Sequence, residues 1–252
     1  MSVLLSTVQG TIARITLNRP DKRNALNAEL LRALKKEFAR LKTDETIKVI
    51  ILEANGKAFC AGADLAYLRE VSTFSAMENL ADSQLLQETF HEIYTSTKPV
   101  IAKVHGAAIA GGCGLATVCD IVIAAKQSAK FGYSEVKIGF IPAVVMVYLL
   151  RKIGDTQARR LLLSAEIISS QEAARLGLVT YSVEDEQLEQ FTDTIAHTLA
   201  NNSASSMALV KEMMTNLQGM SLESGLRYAA SMNAFTRMTD DCKAGIASFL
   251  NT

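Results

Sequence analysis

HGAAIAGGCGLATVCD, His105 to Asp120, is the stretch on which the reading of this chain turns. The apolar run VIAKV (100–104) leads into it as a buried strand. An Ala/Leu/Val segment with the character of a helix start leads out of it, and Gly111, Gly112 and Gly114 stand at the handover. Small residues after a strand let a ligand touch the backbone. N–H groups at the start of a helix also carry the positive end of its dipole. A second turn of this kind lies upstream, where AFCAGADL (58–65) follows the apolar run VIILEA (49–54). Two N–H groups converging from separate loops would form a pocket for a carbonyl oxygen that becomes an oxyanion. Tight helix–strand packing explains the same glycines equally well, and the residues alone leave both readings open. A dinucleotide site is disfavoured, because GGCG lacks the GxGxxG spacing.

Outward from these turns, TIARITL (11–17) alternates as a strand closed by NRP, and DIVIAA (120–125) reads as another buried strand. Asn27 is placed to cap a helix with Leu30, Leu31, Leu34, Phe38 and Leu41 at helical spacing. Residues 75–96 read as a helix. Ser169 and Glu172 form the pattern of a capping box, and Gly177 ends that helix. On the helix expected over 184–200, Leu188, Phe191, Ile195 and Leu199 share one face. Strands alternating with helices give an α/β class. The expected organisation is an α/β core over 1–183 followed by a helical region over 184–252.

Composition narrows the function. Lys+Arg and Asp+Glu are both 26, so the net charge is zero and the basic footprint of a nucleic-acid binder is missing. No apolar run reaches the length of a membrane span, and the first twenty residues lack the basic start and unbroken apolar stretch of a signal peptide, so a cytoplasmic protein is expected. The four cysteines form no CxxC pair, which favours reduced thiols over a disulfide or a metal site.

Four segments, NRPDKRNALN, KAFCAGADL, KPVIAKVHGAAIAGGCGLATVCD and FGYSEVKIGFIP, occur in an order and spacing that resemble the enoyl-CoA hydratase/isomerase (crotonase) superfamily. LLLSAEIISSQEAARLGLV extends the resemblance over nearly the whole chain. It implies a spiral of ββα units with C-terminal helices, assembly as trimers or dimers of trimers, and an acyl-CoA thioester substrate. Coenzyme A is then part of the substrate, and no separate cofactor or metal is implied. The oxyanion donors would be the N–H groups of Ala63 and Gly111, and Glu135 would move the proton. Lys22 and Arg23, with Lys243, would serve the CoA end. Ala25, Ala61, Asp64, Leu65, Gly112, Gly114, Pro142 and Tyr148 would line the substrate.

The departures bear on the chemistry. Hydratases of this family usually hold a water between two glutamates. The position of the first, three residues past the oxyanion glycine, is Gly114 here. The second is Glu135, anchored by FG at 131–132. On a helix a side chain at 114 is expected to point back over the same pocket. AVVMVY replaces the usual polar segment after IP, which predicts a greasier acyl pocket. One base suffices to shift a double bond from the 3 to the 2 position, so isomerisation is favoured on chemistry. Hydration, including that of branched or carboxylated enoyl-CoA, and decarboxylation are the alternatives, with Asp64, Glu70, Glu88 or Glu92 available to replace the missing acid. A non-catalytic CoA-ester binder is the contrasting class. Asp64 is expected to start a helix, His105 and Asp120 to be structural, His91 and His197 to lie on solvated helix faces, and Met207, Met213 and Met214 to form a packing face.

Overall fold

The computed structural model describes residues 2–250, except for the side chain of Leu65. Its first element is one that the sequence pattern did not show. Strand β1 (Leu4–Gln9) turns at Gly10, whose φ is +59°, into β2 (Ile12–Leu17), and the two pair antiparallel. The buried strands β3 (Val49–Ala54), β5 (Val100–Val104) and β7 (Ile121–Ala125) then add in parallel. With β10 (Tyr181–Val183) they complete a six-stranded sheet in the order β1-β2-β3-β5-β7-β10. Parallel strands covered on both faces read as unbroken apolar runs, which is why VIILEA and VIAKV were legible.

The second sheet comprises β4 (Ala58–Cys60), β6 (Ala107–Ile109), β8 (Lys130–Gly132) and β9 (Ile168–Ser169), in that order. Each of its strands has two or three residues, too few to show a period. Each of the first three follows a strand of the larger sheet after a short link, so two turns that are far apart in sequence emerge side by side.

Helix α1 (Ala28–Thr43) is capped as expected: Asn27 Oδ1 accepts from Leu30 N at 3.0 Å, and its five apolar residues are all buried. Helix α2 (Leu65–Val71) begins at Asp64, and α3 (Ala76–Tyr94) at a complete capping box of Ser75 and Glu78. Helix α4 (Gly111–Thr117) is short and almost wholly buried. Helix α5 (Ala143–Ser164) is interrupted at Gly154, where φ is +74°. At α6 (Ser170–Arg175) the expected capping box is only half formed. Ser169 Oγ accepts from Glu172 N, but the Glu172 carboxylate turns outward to Arg160 and Arg175. Two guanidinium partners hold its pKa down at about 2 and outcompete the Ser169 N–H.

From residue 188 to residue 250 the elements are all helices. Helix α7 (Leu188–Ala200) packs on β3, β5 and β7, burying Leu188, Thr192 and Ala196. Helices α8 (Ala204–Leu217), α9 (Leu222–Thr236) and α10 (Asp240–Leu250) follow; α9, α10 and the link between them leave Leu222, Leu226, Phe235, Met238, Ile246, Phe249 and Leu250 exposed.

Candidate active site

Three chain segments meet at the start of α4. The first is the turn after β4. Gly62 has φ +88°, and a Cβ built on it would lie 2.9 Å from Ala110 Cβ and 3.7 Å from Gly111 N. Only glycine fits there, so the turn 61–64 sits directly against the 110–112 turn. The second is the α4 N-terminus itself. A Cβ on Gly112 would fall 2.0 Å from the Cys60 carbonyl oxygen, so glycine lets the helix abut the end of β4. The third is the 19–26 loop. Leu26 N donates to Gly62 O at 2.6 Å, Asp64 N to Leu26 O at 3.0 Å, and Ala61 N to Arg23 O at 3.0 Å.

These bonds use the groups on either side of Ala63 and leave its own N–H unused. Among the described residues, neither the Ala63 nor the Gly111 N–H donates to a protein acceptor. Both belong to adjacent turns, and Gly111 N also lies in the first turn of a helix, where donors have no intrahelical partner.

Asp64 holds the first turn. It is 7 % exposed, and its Oδ1 accepts from Ala66 N at 2.9 Å, as a helix-start residue should. Its Oδ2 pairs with Arg19 at 2.8 Å, while Arg19 also donates to Ala25 O. Burial raises the Asp64 pKa, but the guanidinium and the capping N–H overcome it and leave the carboxyl lowered. The sequence reading did not single out Arg19, although a buried aspartate needs a cation and NRP supplies one. Asn24 was also missed. It is fully buried with φ +54°, and its side chain donates to Asn55 O at 2.7 Å and Ala58 O at 2.9 Å.

Glu135 opens a 3₁₀ turn (Glu135–Ile138) after β8, a strand paired with the β6 that feeds α4. Its Oε2 is, among the described residues, the one buried side-chain oxygen or nitrogen without a hydrogen-bond partner. Burial pushes its pKa up, with no cation to oppose it. The carboxylate lies close enough to α4 and β8 to raise the pKa of Cys113 and Tyr133 in turn.

The other sequence candidates are dispersed. Lys22 and Arg23 are exposed on the 19–26 loop beside the Ala61–Asp64 turn, with Ala25 buried beneath them. Pro142 is buried and precedes α5. Tyr148 is in the wall of a cavity, its ring 4.9 Å from that of Tyr94. The side chain of Leu65 lies outside the described residues. His105 Nε2 bonds to Gly56 O at 2.8 Å, and Asp120 accepts from Val100 N and pairs with Lys211, both structural roles. Met207 and Met214 line that cavity instead of closing a packing face.

Gly114 requires a correction. The expectation of open room above it fails, because a Cβ at 114 would lie 2.0 Å from Val145 Cγ1 and 3.1 Å from Phe90 Cε2. Helix α5 has moved onto α4 into the space that glycine leaves. Gly114→Glu on its own is therefore expected to lower the melting temperature sharply and not to add a second working carboxylate, since overpacking a full core destabilises. Thermal unfolding measured beside hydratase turnover checks this; a variant with unchanged melting temperature and faster hydration would contradict it.

Among the described residues no helix is long and apolar enough to cross a membrane, and no group of three His, Cys, Asp or Glu residues is arranged to hold a metal ion.

Comparison with known proteins agrees with the geometry. The family profile for enoyl-CoA hydratase/isomerase matches residues 7–252. A Thermus thermophilus protein that bears the provisional name enoyl-CoA hydratase is 40% identical over 98% of this chain and 97% of its own. The 2,3-dehydroadipyl-CoA hydratase of Escherichia coli is 33% identical over 99% and 96%. The crystal structure of an enoyl-CoA hydratase from Mycobacterium smegmatis superposes with a TM-score of 0.94 at 30% identity, covering 99% of this chain and 96% of that one. The full-length match, together with the paired glycine turns and the α/β architecture, makes this chain a member of the enoyl-CoA hydratase/isomerase family.

Proposed function

We propose that the protein hydrates a 2-enoyl-CoA thioester with Glu135 as its single acid–base group. The observation that carries the reading is the buried, unpartnered Oε2 of Glu135 near the start of α4, where two backbone N–H groups are also unused. The thioester oxygen accepts from Ala63 N–H and Gly111 N–H, which stabilise the enolate-like anion. Glu135 takes a proton from water as its oxygen bonds to Cβ. The C=C electron pair moves to Cα and the thioester, and Glu135 returns the proton to Cα. One water is added across the double bond, and the enzyme is left unchanged. A carboxylate with a raised pKa suits a group that both takes and gives a proton. Hydration ranks ahead of isomerisation because the named relatives are hydratases.

The second reading is isomerisation of a 3-enoyl-CoA, in which Glu135 carries a proton from Cα to Cγ. The filled space beside Gly114 favours it, since no second carboxylate can stand there. The two reactions separate cleanly. Hydration removes the ultraviolet absorbance of a conjugated thioester and adds the mass of one water. Isomerisation of a 3-enoyl ester creates that absorbance without a change in mass. Neither change with either ester would defeat both readings, and a protein that binds CoA esters without turning them over would be a CoA-ester binder.

No cofactor beyond the CoA of the substrate is needed for this chemistry, and Lys22 and Arg23, exposed on the 19–26 loop, would serve the CoA phosphates. We propose a trimer or a dimer of trimers in the cytoplasm. Support comes from the apolar side chains that α9 and α10 leave exposed, since exposed apolar patches mark interaction surfaces. Light scattering at micromolar concentration is expected to give a trimer or hexamer mass; a monomer mass would contradict it.

A further inference from the structure

Helix α5 packs against both α4 and α3, and Phe90 of α3 reaches α4 at Gly114. The first layer holds Gly111, at the oxyanion turn. Three residues along α4, about 4.5 Å on, lies Gly114, with Val145 of α5 and Phe90 of α3 filling the space beside it. One further turn along all three helices brings Thr117, Tyr148 and Tyr94. These three line a cavity of about 560 Å³, bordered on its α8 side by Met207 and Val210 and open to solvent there, where Val210 is 55 % exposed. In every one of the three helices the residue packed at Gly114 precedes the cavity-lining residue by one turn. The Val145–Phe90 layer therefore stands as a partition between the proposed reaction site and this cavity.

The lining of that cavity is mostly apolar, and its buried cations are engaged. Lys152 Nζ donates to Thr117 O at 3.0 Å and Cys119 O at 2.8 Å, satisfying the last carbonyls of α4. Lys211 pairs with Asp120. What remains is room for an apolar chain.

We infer that Val145 is a specificity-determining residue: it closes the acyl pocket one turn beyond the oxyanion donors, and the cavity behind it takes the tail of a longer acyl-CoA once Val145 is trimmed. This rests on the enoyl-CoA reading above. In the wild-type protein the partition limits the acyl group to a short chain.

The test is a series of unbranched 2-enoyl-CoA esters, from butenoyl to dodecenoyl, with wild type, Val145→Ala, Val145→Gly and Val145→Ala/Met207→Trp. Equilibrium binding of the saturated acyl-CoA esters supplies a readout that needs no turnover. Wild type is expected to lose kcat/KM as the tail lengthens. Val145→Ala is expected to shift the optimum to longer tails, since each methylene admitted to an apolar cavity is worth about fourfold. Met207→Trp, which fills the cavity from the α8 side, should reverse the gain. Parallel chain-length profiles for wild type and both Val145 variants would overturn the inference. So would a long-chain gain that survives Met207→Trp, or a wild type that already prefers long tails. If wild type turns over no enoyl-CoA ester, the functional reading fails, while the saturated-ester binding series still decides whether Val145 is the partition.

Discussion

Glu135→Gln is expected to lower turnover by about 10²–10⁴-fold, the usual worth of a positioned acid–base group, while leaving CoA-ester binding nearly intact. The amide keeps the size and polarity of the side chain but cannot accept the proton. Steady-state rates and calorimetric binding on the same preparation check this, and full activity in the variant would remove Glu135 from the reaction. The pH profile carries a second signature. Burial raises the Glu135 pKa, so kcat/KM should rise with pH through a limb displaced above the ordinary glutamate range, and that limb should vanish in the glutamine variant. The same shift bears on stability. The folded protein binds this proton more tightly than the unfolded chain does. The group's contribution is therefore most favourable below the ordinary carboxylate pKa, and it is lost as pH rises through the raised folded value. At neutral pH the buried charge works against the fold, and Glu135→Gln should melt higher than wild type as it loses activity.

Ala63→Pro removes one of the two proposed oxyanion donors and should cost about 10²–10³ in kcat. The substitution is compatible with the surrounding bonds. Leu26 is tied to the turn through Gly62 O and Asp64 N, and the Ala63 N–H holds nothing. Asp64 remains clamped by Arg19 and by its cap to Ala66. Melting temperature and circular dichroism should therefore stay close to wild type while the rate falls. A folded proline variant with unchanged kcat would remove Ala63 from the oxyanion hole and leave Gly111 to be tested alone.

Much of this could be read along the chain. The strands VIILEA and VIAKV match β3 and β5 residue for residue, because a strand covered on both faces needs a continuous apolar run. The cap at Asn27 and the buried face of α1 follow from local spacing. The strands of the second sheet were not legible, since three residues show no period and their pairing partners lie dozens of residues away. The Ser169–Glu172 box was legible only in part. Its sequence pattern is correct, but Arg160, from another helix, claims the carboxylate.

At the site the same division holds. The sequence by itself determined the family, the two glycine turns, the single glutamate after FG and the absence of an acid at 114, because each of these is a matter of residue type at a fixed spacing. Only the tertiary structure decided what those residues face. The packing of Gly62 against Ala110 brings the two turns together, and Arg19 reaches Asp64 across 45 positions of sequence. The space at Gly114 went to Val145, not to a water or a carboxylate. A missing side chain is written in the sequence; what moves in to fill its volume depends on which helix packs there, and close packing leaves no such gap empty.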